Sequence, residues 1–104
     1  MTIDEKKRYF FMKYGIEICY DDRDYDHYTR SGGIDHRYIR YKISYPVVRN
    51  GEISFMNRQD VEQNVCSYEI SKLIKNYFRK HPGTKELFED AMAKVLKDAE
   101  GNAE

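Results

Sequence analysis

A chain of 104 residues has room for one small domain, and folding at this size buries about two-thirds of the unfolded surface, enough for one modest core. Its 18 basic and 18 acidic side chains cancel, which argues against a strongly basic nucleic-acid coat protein and against an acidic DNA mimic, while leaving room for local fields of both signs. No apolar run reaches transmembrane length and the N-terminus MTIDEKKR is unlike a signal peptide; with Cys19 and Cys66 single and far apart, a reduced, cytoplasmic setting without membrane contact is expected.

Along the chain, Phe10, Met12, Tyr14, Ile16, Ile18 and Tyr20 occupy successive even positions, and this period of two predicts a half-buried strand over about 8–20. A helix competes for the first half of that stretch. Thr2 and Glu5 have capping-box spacing, Ile3, Phe10, Phe11 and Tyr14 share a helical face, and Gly15 can end it. The consecutive aromatics Tyr9-Phe10-Phe11 suit a pleat better, so the strand is preferred; the helix would leave only Ile16 to Tyr20 as strand.

Alternation returns over about 36–48, with Ile39, Tyr41, Ile43, Tyr45 and Val47 on one face. Asn50-Gly51 then predicts a type I′ hairpin, because both residues tolerate positive φ, and the partner strand is about 52–56. A two-residue turn pairs Arg49 with Glu52 and Val48 with Ile53, which puts Val48, Ile53 and Phe55 together and conflicts with the upstream odd-numbered face. Pro46 lies between the two sets and cannot donate to a ladder, so a bulge or edge position is expected there.

Beyond Met56 the pattern reads as helices at about 58–65, 68–80 and 85–98, with Asn57 as the first N-cap. A single helix across the first two would point Val61 and Val65 away from Ile70, Leu73, Ile74 and Phe78, so a break is placed near Cys66 to Tyr68 with Ser67 as cap. His81-Pro82-Gly83 ends the second helix and Thr84 caps the third. The expected core comprises Ile16, Ile18, Ile43, Ile53, Phe55, Ile70, Leu73, Ile74, Phe78, Leu87, Phe88, Met92 and Val95. The fold class is therefore α+β: one domain over 1–104, a three-stranded antiparallel sheet followed by two or three helices, and a long polar loop at about 21–35.

That loop is where the sequence concentrates functional signal. Eight of the ten tyrosines fall between Tyr9 and Tyr45, and from Asp21 to Lys42 the only aliphatic residues are Ile34 and Ile39. Tyrosine and arginine offer large contact area with a polar end, the chemistry of macromolecular interfaces. The expected partner-binding residues are Tyr25, His27, Tyr28, Arg30, His36, Arg37, Tyr38, Arg40 and Lys42.

A second set, Lys72, Lys75 and Arg79, lies on the outer side of the predicted main helix, where it either forms a solvated face or contacts phosphate together with Arg37, Arg40 and Lys42. Asp22, Asp24 and Asp26 begin like a calcium loop, but His27 and Gly33 stand where that loop needs a glycine and a bidentate glutamate, so no metal site is expected. No cofactor or catalytic motif is found, and no family motif can be placed on the chain. His27, His36, the arginines and the tyrosines have the residue types of a metal-independent ribonuclease, without a spacing that specifies one.

The leading expectation is a small non-enzymatic protein that binds and modulates a protein partner, such as a nucleic-acid-processing host factor. Direct DNA or RNA binding comes second and ribonuclease activity third. The bias toward Tyr, Ile, Lys, Asn and Asp resembles AT-rich bacterial or phage genomes, an association that suits an inhibitor of host machinery encoded by a phage or mobile element.

Overall fold

The structure, a computed structural model describing residues 2–21 and 39–101, runs α1 (Ile3–Tyr14), β1 (Glu17–Tyr20), β2 (Tyr41–Arg49), β3 (Glu52–Val65), a 3-10 turn (Ser67–Glu69), α2 (Ile70–Lys80) and α3 (Thr84–Gly101). The sheet is antiparallel in the order β1-β2-β3. The α+β class and the three-stranded sheet are as the sequence predicts, but one helix precedes the sheet and two follow it.

The strand expected over 8–20 is mostly helix. Thr2 Oγ1 accepts from Glu5 N at 3.2 Å, closing the first turn, and Gly15 ends α1 with φ +72° in the left-handed region. Ile3, Phe10 and Tyr14 recur at helical spacing and turn inward, whereas Met12, which period two would place beside them, faces solvent. Local capping thus outweighs the strand preference of three consecutive aromatics. Only Glu17–Tyr20 pairs as strand, with Ile18 opposite Ile43 and Tyr20 opposite Tyr41.

The hairpin forms as its sequence requires. Asn50 and Gly51 adopt φ +53° and +76°, Arg49 pairs with Glu52 and Val48 with Ile53. Pro46 pairs with Arg58 while its neighbour Val47 pairs with Ser54, so Phe55, Met56 and Asn57 are extruded as a bulge at the proline. Asn57 does not cap a helix; its backbone and side-chain amides both donate to Ser54 Oγ at 3.3 Å inside the bulge.

The helix expected at 58–65 is the second half of β3. The reason lies in β2: with Phe55 to Asn57 in the bulge, Glu52 to Ser54 cover only Val47 to Arg49, leaving the backbone groups of Tyr41 to Pro46 unpaired on that side. Arg58 to Val65 supply those pairings through two further register shifts, with Asn64 at φ +55°. The second strand itself begins at Tyr41, later than expected; Ile39 and Arg40 are irregular, and residues 36–38 lie outside the described residues.

The break before α2 is present. Ser67 opens the 3-10 turn, although Cys66 takes the cap position and makes no side-chain cap bond. Val61 is exposed on β3, whereas Val65 is buried in the same core as Ile70 and Ile74 of α2. The third helix begins at Thr84, whose N–H donates to His81 O at 3.2 Å.

A chain of rings joins the layers. Tyr45 of β2 stacks on Tyr77 of α2 with centroids 3.8 Å apart, Tyr77 meets Phe78, and Phe78 touches both Tyr14 of α1 at 5.0 Å and Phe88 of α3 at 6.0 Å. Ile16, Ile18, Ile43, Ile70, Ile74, Phe88 and Met92 are buried as expected. Ile53, Phe55, Leu73, Phe78 and Leu87 are half-buried, and Val95 is exposed on α3. Phe10, Tyr14, Tyr41, Tyr45 and Val65 complete the core. Arg58 anchors the end of α1: its guanidinium donates to Gly15 O at 2.6 Å and pairs with Glu17 at 3.2 Å.

Candidate functional site

Of the residues expected to bind a partner, Tyr25, His27, Tyr28, Arg30, His36, Arg37 and Tyr38 lie outside the described residues, with most of the polar loop. Arg40 and Lys42 are described. The backbone carbonyl of Arg40 accepts from Asp21 N at 3.0 Å, and its guanidinium donates to Ile39 O at 3.4 Å. Lys42 lies 3.7 Å from Asp60, whose carboxylate also accepts from Ser44 Oγ. Strand alternation puts Lys42 and Ser44 on the opposite face of β2 from Tyr45, which α2 covers. Lys42 therefore does not share a surface with the cations of α2.

Those α2 cations are exposed. Lys72, Lys75 and Arg79 project within about 60° of one another at a helical turn of 3.6 residues. Arg79 donates to Asn76 at 3.0 Å, while Lys72 and Lys75 have no ion-pair or hydrogen-bond partner among the described residues. Lys75 reaches a groove of about 400 Å³ between the three helices, lined by Tyr9, Phe10, Lys13 and Tyr14 of α1, Ser71, Ile74, Lys75 and Phe78 of α2, and Lys85 of α3. Its floor is aromatic and aliphatic, and its rim carries one lysine from each helix.

The phenols in this groove are tied to the rim. Lys13 Nζ donates to Tyr9 Oη at 3.2 Å and lies 5.4 Å and 5.5 Å from the Tyr9 and Tyr14 ring centres. That hydrogen bond, reinforced by the neighbouring phenols, raises the Lys13 pKa above its ordinary value. Burial pushes the Tyr14 phenol up as well, against the opposing pull of the Lys13 ammonium. The groove thus presents ammonium groups and phenols over an apolar floor.

Tyr9 and Lys13 belong to a second surface too. With Glu5, Arg8 and Met12 they line a shallow depression on the outward side of α1. Tyr9, Phe11 and Met12 are each 41% exposed, although the opposite side of the same helix is locked into the core by Phe10 and Tyr14. On the β1 side, Lys7 Nζ sits 4.3 Å above the exposed ring of Tyr20, which stacks on Tyr41. Sequence reasoning missed this surface because period two assigned Met12 to a buried face. The helical alternative carried the signal, since it leaves Tyr9 and Met12 outside its inward stripe.

Tyr41 and Tyr45, inside the tyrosine-rich stretch, are buried ring-packing residues. Among the described residues no three His, Cys, Asp or Glu side chains cluster as metal ligands, and no helix is long and apolar enough to cross a membrane. The chain matches no family model, no curated protein and no solved structure.

Proposed function

We propose that this chain is a non-enzymatic interaction protein that acts in the cytoplasm by binding and modulating a protein partner, with the outward side of α1 as its anchor. One observation carries the reading: Tyr9 and Met12 are each 41% exposed beside Arg8, and Phe11 equally so toward β1, on a helix whose other side packs into the core through Phe10 and Tyr14. Tyr, Phe, Met and Arg are the residues enriched at protein interfaces, and a preformed helix face presents them without an ordering cost. Zero net charge favours a protein partner over naked nucleic acid, and the two free cysteines suit a reducing compartment.

The test is affinity capture from the source cell with the wild type and with Met12→Asp and Tyr9→Ala, followed by reconstitution of the purified pair. If the reading is right, each variant keeps its melting temperature and loses about tenfold or more in affinity. A partner bound equally well by both variants overturns it.

The exposed stripe of Lys72, Lys75 and Arg79 supports a second reading, direct binding of nucleic acid. Gel shifts separate the two, because contact with several phosphates makes affinity fall steeply as salt rises.

A further inference from the structure

The groove between the helices concentrates charge that nothing in the fold requires. Lys13, Lys75 and Lys85 come from three different helices and converge on one depression. Lys75 and Lys85 have no ion-pair or hydrogen-bond partner among the described residues, and Lys13 is held by the Tyr9 and Tyr14 phenols and their ring faces, with no carboxylate partner. Lys85 stands in the first turn of α3, where the helix dipole opposes a cation, so its charge adds to the positive end of the helix. Glu5, which shares the adjoining depression with Tyr9 and Lys13, Glu86 in that turn and Glu89, whose charge is felt by Tyr14, are acidic groups near this cluster; none of them lines the groove.

Like charges gathered around an apolar floor define a complementary ligand: separate negative charges flanking an apolar group. The groove is also continuous with the proposed anchor, since Tyr9 and Lys13 line both. Resting on the interaction reading above, we propose that this groove receives an acidic segment of the partner protein. An apolar side chain of that segment would seat on Phe10, Ile74 and Phe78 while its carboxylates meet Lys13, Lys75 and Lys85. A nucleic-acid backbone fits less well, because its charges are uniform and it carries no aliphatic anchor, and because the chain as a whole is neutral.

Fluorescence polarisation with the full chain tests this directly. The probes are a labelled peptide with a Leu-Phe pair between glutamates, the same peptide with Gly-Ser in place of Leu-Phe, and a single-stranded oligonucleotide of equal charge. The variants are Lys75→Glu/Lys85→Glu, the milder Lys75→Gln/Lys85→Gln, and Lys97→Glu as a remote control about 18 Å along α3 from Lys85.

The Leu-Phe peptide should bind, weaken at least about tenfold with the double Glu variant and partly with the double Gln variant, and stay within about twofold with Lys97→Glu. Equal binding of the Gly-Ser peptide, tighter binding of the oligonucleotide, or no binding of the Leu-Phe peptide overturns the proposal. The natural partner tells the two readings apart. If its affinity survives Lys75→Glu/Lys85→Glu but falls with Met12→Asp, the groove inference fails and the interaction reading stands; if it survives both, both fail.

Discussion

Replacing Gly15 with alanine tests how the fold is locked around α1. Gly15 has φ +72°, and a Cβ there would lie 2.5 Å from Phe55 Cε1, 2.9 Å from Cδ1 and 3.2 Å from Met92 Sδ. Carbon atoms pack at about 3.5–4.0 Å, so the Phe55 ring must retreat by roughly 1 Å. The left-handed backbone costs an alanine about 1–2 kcal/mol and the overpacking roughly another 1–3 kcal/mol, for a total of about 2–5 kcal/mol. Gly51 supplies the control: its φ is +76° but its Cβ would meet nothing within 4 Å, so Gly51→Ala isolates the backbone part. The entropy each alanine removes from the unfolded chain is common to both variants and cancels. Urea unfolding followed by circular dichroism reads the two losses, and adding Phe55→Ala to each completes a double-mutant cycle. Gly15→Ala should cost about 1–3 kcal/mol more than Gly51→Ala, and most of that excess should disappear in the Phe55→Ala background, leaving only what the Met92 contact costs. Equal losses for the two glycines would refute the placement of the bulge against the end of α1.

That contact also shows what the sequence could and could not reveal. The hairpin was legible because its determinants are local: Asn50 and Gly51 favour positive φ, and Pro46 breaks a ladder wherever it sits. The phase conflict across Pro46 even located the bulge. Its three-residue size follows from tertiary demands, since Phe55 needs the space above Gly15 and β2 needs a partner along its whole length. Arg58-Gln59-Asp60 has no strand propensity of its own, so β3 beyond Met56 was invisible to propensity and became visible only through the unpaired backbone of β2. Residues 3–14 held both periodicities, and the capping groups Thr2 and Gly15 decided between them. For the site, Lys75 was foreseen as an exposed cation of α2, but Lys13 and Lys85 lie far from it in sequence, and only the packing of three helices brings them together.

Two further predictions concern buried phenols. Tyr45 is fully buried and its hydroxyl has no hydrogen-bond partner among the described residues, so Tyr45→Phe keeps the stack on Tyr77 and removes a group whose burial costs about 1–3 kcal/mol. Stability should be unchanged or higher by roughly 1 kcal/mol, a rise of about 4–8 °C in melting temperature; a loss of that size would show that the hydroxyl is bonded in solution. The second prediction is pH dependence. Burial raises the pKa of Tyr14, Tyr41, Tyr45 and Tyr77 above the ordinary tyrosine value, most strongly for Tyr45. The folded chain therefore holds phenolic protons that the unfolded chain releases near pH 10, so stability is complete below about pH 10 and falls as pH climbs toward the folded-state values. For Tyr45 the slope is about 1.4 kcal/mol per pH unit. Phenolate absorbance from Tyr45 should accordingly appear together with loss of the circular dichroism signal. Tyr45→Phe should flatten the alkaline fall in stability. A single titration of all tyrosines near pH 10, with the fold intact, would contradict the ring-packed core on which α2 is seated.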